Sequence, residues 1–565
     1  MNRLSSKIKS FFDPFFKKTL SFQVIFLLLL MSFTTTRDND NNFEAVKNLD
    51  IFYTLYKELN LYYVDPIVPG EIIKTGIDAM LESLDPYTVY IPESKTEDLK
   101  IMTTGQYGGI GALIRKRGEY IMITQPYDGS PAAKAGLIPG DVIMEIDGRS
   151  MKDKNSEDVS ELLRGEPKTI VKLKVRRIGE DKPININVER EEIKMNSVPY
   201  YGMLEDQIGY IVLNNFTNTA AKEVRDAFID LKKSNSVNTV ILDLRANPGG
   251  LLIEAVKICN MFVDKGSEIV SMKGKVPQMD KMYSAESAPL DTDVKVIVLV
   301  NRASASASEI VAGCMQDLDR GVIVGQRTYG KGLVQTTREL SYNSILKVTT
   351  AKYYTPSGRC IQALDYSHRN EDGSVGNVPD SLISEFKTKN GRKVYDGGGI
   401  APDVNIESQM LSNISVSLIL KDLIFDYANL YKYNHPSIPS AGNFKVTDEE
   451  YNNFVEYLKD KDFDYKTKTE ESLKKLIEEA KTEKYYDIAE AELEILEGKF
   501  AHDKNKDLMI FKEEIKDLLS AEIVTKYYNE KGTILYSIKN DPEIKKAVEL
   551  AKDDKQYQNI LKPAK

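Results

Sequence analysis

The sequence predicts an α/β protein that carries additional helical regions, and three observations support this. Short β-branched runs alternate with helical patterns between residues 191 and 407, an alternation typical of a sheet flanked by helices. A glycine-rich region with its own strand pattern precedes this part, at residues 101–190. Lysine, glutamate and tyrosine dominate residues 408–565, where helical periodicity predicts a further helical domain.

Length and charge exclude several functional classes. A chain of 565 residues is several times the size of one domain. Its net charge of −9 argues against nucleic acid as a partner, because phosphate backbones attract basic surfaces. The sequence contains no spacing typical of metal ligands, so we expect neither a metal nor a cofactor.

Residues 1–36 have the order of a secretory signal. Four lysines between residues 7 and 18 precede a largely apolar run at 22–33 and a polar exit. This order predicts a signal peptide, or an N-terminal membrane anchor if the segment stays uncleaved. We therefore expect export, to the periplasm or to the outer face of the cytoplasmic membrane.

Residues 41–100 form a predicted N-terminal helical segment. Apolar residues recur at helical spacing from 49 to 59 and from 72 to 84. Residues 84–92 (LDPYTVYIP) end the segment. We expect this segment to pack on the core without a chemical role.

A serine at residue 306 is the first candidate for chemistry. An apolar run at 294–300 predicts a buried strand, only small residues follow at 303–308, and a helical pattern begins at Glu309. The arrangement places Ser306 at a helix N-terminus, where free N–H groups and the helix dipole favour an anion. The alternative is structural, since Ser306 and Glu309 also match a capping box.

A lysine between two glycines is the second candidate. Lys331 follows Ser306 by 25 residues and has no bulky neighbours, and Gln335 follows four residues later. The chain has three histidines and no Gly-x-Ser-x-Gly elbow, which argues against a Ser-His-Asp triad. A lysine replaces histidine as a base only when it is neutral, and burial favours the neutral form.

Residues 304–310 (SASASEI) followed by 329–335 (YGKGLVQ) resemble the carboxyl-terminal processing peptidases, a family of tail-specific serine proteases with a Ser-Lys dyad. The resemblance implies that Ser306 is the nucleophile, Lys331 the general base and Gln335 the residue that orients the lysine. Without it, the neighbouring serines would be equally available. It also implies a ClpP/crotonase-like α/β core with an inserted PDZ domain.

The segment at 243–250 (DLRANPGG) follows another predicted strand. By the same resemblance, Gly249 or Gly250 supplies one amide of an oxyanion hole, and the amide of Ala307 supplies the other. A simple strand-to-helix turn would also explain the glycines. We expect Asp243 and Arg245 to hold the loop.

Residues 107–114 (YGGIGALI) and 130–137 (SPAAKAGL) resemble a PDZ domain. The resemblance implies a site for the carboxylate of a peptide C-terminus, formed by four consecutive residues: Gly108, Gly109, Ile110 and Gly111. Arg164 corresponds to an arginine that related enzymes use to couple the PDZ position to the active site. An ordinary surface arginine is the alternative.

These features predict five regions: signal or anchor 1–36, helical segment 41–100, PDZ domain 101–190, peptidase core 191–407 and helical domain 408–565. Residues 367–395 are polar and are expected to be an inserted loop. The C-terminal helices suggest a solvated cover, with adaptor docking or homo-oligomer formation as alternatives.

The preferred functional hypothesis is an exported serine endopeptidase that binds the C-terminal tails of proteins and cuts nearby. A catalytically silent PDZ-containing peptide-binding scaffold is the alternative, although the intact set of Ser306, Lys331 and Gln335 argues against it. Acyl-CoA chemistry, suggested by the crotonase kinship, conflicts with the export signal.

Overall fold

The computed structural model describes most of the chain, namely residues 42–234, 236–407, 410–500 and 503–563. The chain divides after Pro86 into two compact units. The signal or anchor segment predicted at 1–36 lies outside the described residues. Within the described residues, no helix combines the length and the apolarity that crossing a membrane requires.

The first unit contains two helices, α1 at residues 42–62 and α2 Pro69–Glu82. Both fall where the sequence predicts them. Proline suits the first position of α2, because its fixed φ is helical and its missing N–H would have no partner there. The two helices are in contact, since a Cβ added to Gly76 would lie 3.9 Å from the Phe52 ring.

The second unit begins with a short strand, a helix and the region predicted to be a PDZ domain. Its elements are β1 Val89–Ile91, α3 Thr96–Thr104, β2 Gln106–Gly109, β3 Ala112–Arg117, β4 Tyr120–Pro126, α4 Pro131–Lys134, β5 Val142–Ile146, β6 Arg149–Ser150, α5 Ser156–Leu163, β7 Ile170–Arg176, β8 Ile184–Glu189 and β9 Glu191–Lys194. An antiparallel sheet runs in the order β3-β4-β5-β7-β8, and β2 pairs with β9. Strand β3 is therefore an edge strand, which is available to a peptide.

The region predicted to be a peptidase core follows. Its elements are β10 Tyr200–Glu205, β11 Ile208–Val212, α6 Ala220–Ser234, β12 Thr239–Asp243, α7 Leu252–Asn260, β13 Glu268–Gly274, β14 Lys281–Ser284, β15 Lys295–Val300, α8 Ala307–Asp317, β16 Gly321–Gly325, β17 Leu333–Glu339, β18 Ile345–Tyr354, β19 Leu364–Arg369, β20 Val375–Asn377, β21 Glu385–Lys387, β22 Lys393–Tyr395 and β23 Val404–Asn405. The α/β alternation predicted from sequence is confirmed.

The central sheet has the order β10-β11-β12-β15-β16-β23, and all its pairs except β10 with β11 are parallel. Asp243 at the end of β12 pairs with Leu299 near the end of β15. The loops that leave these two strands therefore start side by side at the carboxyl edge, where parallel sheets usually bind ligands.

A second sheet supports the loop that carries Lys331. Strand β18 lies at its centre and pairs with β1, β13 and β17. Strand β17 starts two residues after Lys331, and β1 starts two residues after Tyr87. Because both strands pair with β18, Tyr87 and Lys331 are brought to the same end of this sheet.

The prediction of one inserted loop at residues 367–395 is wrong. The segment from Leu364 to Tyr395 folds as two short antiparallel pairs, β19 with β20 and β21 with β22. Turns such as the one at Gly373 (φ 80°) allow the reversal. Short strands of mixed polarity leave little hydrophobic periodicity, so the pattern was not visible in the sequence.

The C-terminal region is helical, as predicted. Its helices are α9 Asn413–Leu420, α10 Leu423–Asn434, α11 Asp448–Leu458, α12 Lys468–Thr482, α13 Tyr486–Phe500, α14 Lys504–Ile510, α15 Lys512–Ile538 with a kink at Asn529, α16 Pro542–Lys552 and α17 Asp554–Ile560. Most of them share a hydrophobic core of their own. Helices α16 and α17 instead bury Ile544, Leu550 and Tyr557 against the central sheet. These last two helices of the C-terminal region therefore pack on the central sheet.

Candidate active site

The turn after β15 places Ser306 at the N-terminus of α8. Its backbone has φ 56° and ψ −113°, a region that residues other than glycine rarely adopt. Ser304 and Ser308 are fully buried, and their hydroxyl groups donate to the carbonyl oxygens of Leu244 (2.8 Å) and Asn247 (3.0 Å). Ser306 alone of the three serines remains partly exposed. Strain and exposure together distinguish it from its neighbours.

The carboxylate half of the capping box predicted for Ser306 and Glu309 is present. The Glu309 carboxylate accepts the N–H of Ser306 at 2.8 Å, and the N–H of Glu309 donates to the main-chain carbonyl of Ser306 at 2.8 Å. The structural interpretation is thus correct for Glu309. It does not exclude a chemical role for the partly exposed serine.

Glu309 also joins the serine turn to the lysine loop. Its fully buried carboxylate accepts the N–H groups of Ser306 (2.8 Å), Gly330 (2.7 Å) and Lys331 (2.9 Å) and the hydroxyl of Thr328 (2.5 Å). Burial raises the pKa of Glu309 to about 7, and these hydrogen bonds oppose the rise. Two segments of the chain are held by one side chain.

Lys331 is only partly exposed, and its ammonium group lies 4.0 Å from the centre of the Tyr87 ring. The Tyr87 hydroxyl donates to that of Tyr329 (3.4 Å), and the ring of Tyr366 meets Tyr87 edge-on at 6.0 Å. Burial raises the pKa of Tyr87, so its hydroxyl stays protonated. Tyr87 thus forms one wall of the lysine site, a contact that the expectation of simple packing for residues 41–100 did not include.

Gln335 lies on β17, four residues after Lys331. Its side-chain amide donates to the Thr349 hydroxyl on β18 at 3.2 Å. The N–H of Thr349 in turn donates to the hydroxyl of Thr88 at 3.1 Å, beside Tyr87. Gln335 therefore makes a polar contact between β17 and β18, close to the lysine loop that precedes β17.

Gly249 lies directly against the serine turn. It has φ 102°, and a Cβ added there would lie 2.8 Å from the Cβ of Ser306 and 3.0 Å from the nitrogen of Ala307. Its N–H donates to Oδ1 of Asn247 at 2.9 Å. A side chain at residue 249 would collide with the serine turn, which explains the glycine. The N–H of Gly249 already has an acceptor in Asn247.

The N–H groups of Gly250 and Ala307 differ from that of Gly249. The N–H of Leu251 donates to the carbonyl of Phe216 at 2.8 Å, and in this parallel bridge the N–H of Gly250 faces away from Phe216. Within the described part of the chain, neither Gly250 nor Ala307 donates its N–H to another group of the protein. Ala307 follows Ser306 directly in sequence, and Gly250 follows Gly249, which lies against the serine turn.

The groove of the PDZ region has a volume of about 240 Å³ and lies between β3 and α5. Its apolar lining includes Leu113 and Ile114 from β3 and Leu163 from α5. The turn of Ile110 and Gly111 closes one end, and over the described residues the N–H groups of these two residues have no protein acceptor. Of the four residues predicted to bind a carboxylate, these two are placed to do so.

The other two predicted carboxylate ligands, Gly108 and Gly109, belong to β2 and pair with Glu192 and Glu191 of β9. A Cβ added to Gly108 would lie 2.2 Å from the carbonyl oxygen of Gly165. These glycines therefore allow a close approach between β2 and the end of α5.

Arg164 follows α5 and lines the same groove. Its guanidinium pairs with Asp98 of α3 and lies 5.7 Å from the centre of the Tyr107 ring. Both partners lie outside the six-stranded sheet of the PDZ region. Arg164 thus connects the groove to the helix that precedes it.

Comparisons with known proteins agree with this architecture. Residues 207–367 match the model of peptidase family S41, residues 122–177 match a PDZ domain, and residues 414–551 match the C-terminal helical domain of probable PDZ-proteases.

Two curated relatives match this chain over most of their own length. The carboxy-terminal-processing protease of Bartonella bacilliformis is 37% identical over 361 residues, which is 63% of this chain and 80% of the relative. A probable CtpA-like serine protease of Staphylococcus aureus is 32% identical over 437 residues, 77% of this chain and 76% of the relative. Among solved structures, the photosystem II D1 C-terminal processing protease is 29% identical, with 64% of this chain and 88% of that chain covered and a TM-score of 0.36.

The α/β core, the PDZ region and the serine turn define a serine-type peptidase with a PDZ domain. More narrowly, the chain belongs to the carboxy-terminal processing proteases of peptidase family S41.

Three residues at the site were missed or understood only in part from the sequence. Glu309 was assigned only a cap, Tyr87 only a packing role, and Asn247 no role. The segment at residues 84–92 (LDPYTVYIP), which contains Tyr87, was the available signal for that residue. For the other two the partners come from distant segments, so spacing along the chain carried no signal.

Proposed function

We propose that this chain is an exported endopeptidase that cuts proteins near their C-terminal tails with a Ser306–Lys331 dyad. The observation that supports it most is the strained, partly exposed Ser306 at a helix N-terminus, tied through Glu309 to the loop of Lys331. Strain at a non-glycine residue persists only when its surroundings hold it, and it is concentrated at functional sites.

In this mechanism the Ser306 hydroxyl attacks the peptide carbonyl while neutral Lys331 takes its proton. The lysine later protonates the leaving amine, and water repeats the cycle on the acyl-enzyme. The Tyr87 ring covers one side of the Lys331 side-chain nitrogen and shields it from water. Gln335 holds β17 to β18 through its hydrogen bond to Thr349 and so orients the lysine at the start of β17.

The oxyanion that forms during attack is stabilised by the N–H groups of Gly250 and Ala307. Both are without a protein acceptor in the described chain, and Gly250 is exposed. Gly249 is not a donor to the oxyanion, because its own N–H is bonded to Asn247. Its missing side chain instead leaves space for the serine turn. Preorganised amides of this kind act most strongly where negative charge develops in the transition state.

Substrate selection is assigned to the PDZ groove. The N–H groups of Ile110 and Gly111 bind the terminal carboxylate, and the tail adds to the free edge of β3. The apolar lining from Leu113, Ile114 and Leu163 favours an apolar terminal side chain. Arg164 then relates the occupied groove to α3.

Incubating the purified chain with a permanently unfolded protein tests the proposal. We expect fragments from the wild type and none from Ser306→Ala. Replacing an exposed serine, Ser341→Ala, is the matched control and should leave cleavage intact. A folded Ser306→Ala variant that still cuts would favour the silent-scaffold hypothesis, with the activity coming from elsewhere.

A further inference from the structure

A buried ionic cluster lies where the C-terminal helices meet the loop before Gly249. Arg245 donates from Nη1 to Asp541 and Glu543 at the start of α16, and from Nη2 to Asp243 at 2.6 Å. The side chains of Arg245, Asp541 and Glu543 are only 16%, 16% and 11% exposed. One guanidinium thus connects the loop to a helix almost 300 residues later.

The cluster is arranged to keep Arg245 in one orientation. Oδ1 of Asp541 caps α16 by accepting the N–H groups of Glu543 and Ile544, both at 2.9 Å, which leaves Oδ2 for the arginine. Tyr210 donates its hydroxyl to Asp243 at 2.7 Å. Burial raises the pKa of Glu543 and the nearby guanidinium opposes the rise. Buried ion pairs contribute little net stability, but they can specify one geometry.

The loop after Arg245 needs such a support. Ala246 has φ 56°, a left-handed conformation that is unfavourable for an alanine. Its N–H donates to Oδ1 of Asn301 at 3.0 Å. Arg245 donates its own N–H to Asp243 at 2.9 Å, so the strained residue is held on both sides.

The next residue carries this geometry into the site. Asn247 is fully buried, and its side chain bonds to the carbonyl of Leu213 (2.6 Å) and the N–H of Gly249 (2.9 Å). Its main-chain carbonyl accepts the N–H of Ala305 (3.0 Å) and the hydroxyl of Ser308 (3.0 Å). A shift of Arg245 therefore moves both the glycine loop and the serine turn.

We propose that Asp541 and Glu543 are positioning residues of the peptidase, which hold the amide of Gly250 in place through Arg245. The C-terminal helical domain thereby completes the catalytic site. This inference rests on the proposed function, because it concerns the oxyanion donors of the same reaction.

The experiment compares two variants in the full-length chain. Asp541→Asn with Glu543→Gln removes both charges, and asparagine still caps α16. Tyr557→Phe is the control: it removes buried hydrogen bonds of α17 to Val296, near the start of β15 and away from the loop. Each change weakens one contact between the last two helices and the α/β core, but only the double variant affects the loop of Arg245.

We expect the double variant to lose at least about tenfold in kcat with little change in KM, because an oxyanion donor acts mainly in the transition state. Tyr557→Phe should keep kcat while losing comparable thermal stability. If the double variant does not fold, Glu543→Gln alone is measured well below its unfolding midpoint, with the same expected direction.

Three outcomes overturn the inference. A folded variant with unchanged kcat removes the positioning role, and so does a loss confined to KM. An equal fall in kcat for Tyr557→Phe would mean that general loosening explains the effect. A wild type without Ser306-dependent turnover would overturn the proposed function as well, so the two failures are distinguishable.

Discussion

The backbone N–H groups of Ser306 and Lys331 donate to the same oxygen, Oε2 of Glu309, at 2.8 and 2.9 Å. Their two nitrogens therefore lie within about 6 Å of each other, at normal hydrogen-bond lengths. The residues are 25 positions apart in sequence, on opposite sides of α8 and β16. A buried carboxylate thus sets the backbone distance between the proposed nucleophile and the proposed base.

The proposed dyad should behave as one unit in kinetics. We expect Ser306→Ala and Lys331→Ala each to lower kcat on the order of 10³-fold or more, and the double variant to be little worse, as coupled catalytic residues behave. Lys331→Arg should also fail, because a guanidinium stays charged and cannot accept the serine proton. Gln335→Ala should cost less, since that residue transfers no proton. Turnover should fall as pH drops and the lysine becomes charged.

The controls for the dyad are stability and an exposed lysine. Lys352→Ala on β18 should retain full turnover. Thermal unfolding of every variant separates chemistry from folding. If Ser306 were only a helix cap, its alanine variant would lose about 1 kcal/mol of stability and keep its activity.

Glu309→Gln should uncouple the serine turn from the lysine loop. The glutamine amide has only one acceptor oxygen, and its NH₂ group would replace the other. That NH₂ group would face either the N–H donors of Ser306 and Lys331 or the N–H donor of Gly330. We expect a loss of about 1–3 kcal/mol in stability and at least about tenfold in kcat. Full activity in the folded variant would show that the shared oxygen is dispensable.

The pH dependence of that stability difference has a definite sign. The folded pKa of Glu309 is about 7, above its ordinary 4.5, so the folded state binds the proton more tightly than the unfolded state. The free energy of unfolding of the wild type relative to Glu309→Gln should therefore fall as pH rises from about 4.5 to about 7. Urea titrations of both proteins across this range measure it, and a rise would contradict the assignment.

Gly249→Ala should abolish most activity through crowding. Its Cβ would lie 2.8 Å from that of Ser306. Gly266→Ala is a matched control, because Gly266 also has a positive φ (90°) but nothing within 4 Å of an added Cβ. Both variants bear the backbone cost of about 1 kcal/mol. We expect only Gly249→Ala to lose more than about tenfold in kcat.

The C-terminus of a substrate should matter more than the sequence at the cut. A substrate protein with a free apolar C-terminus should be cleaved faster than the same protein with an amidated or charged terminus, because we propose that Ile110 and Gly111 bind the terminal carboxylate. Gly111→Ala, whose Cβ would lie 2.6 Å from that of Ser130, should reduce this preference. Gly118→Ala has open space and should not. Equal rates for all three substrates would remove the PDZ groove from selection.

Residues 1–36 should direct export. A reporter that is active only outside the cytoplasm, fused after residue 565, should give a signal that disappears when residues 1–36 are deleted. Activity that is independent of this segment, or confined to the cytoplasm, would contradict the proposed location.

The sequence alone determined the fold class and the candidate dyad. Hydrophobic periodicity is local, so β15 and α8 were predicted close to where they occur. The small-residue turn with Ser306 and the glycine-flanked Lys331 are also local patterns. Each pattern can be recognised from neighbouring residues in the sequence, without knowledge of which residues it contacts.

The tertiary structure decided which distant groups share the site. Glu309 joins Ser306 to Lys331, Tyr87 covers the lysine, and Asp541 holds Arg245. It also showed that the N–H of Gly249 donates to Asn247, whereas the N–H of Gly250 has no acceptor among the described residues. These facts depend on which segments meet after folding. Propensity and spacing along the chain carry no record of such pairs, because the contacts form between residues that are far apart in sequence.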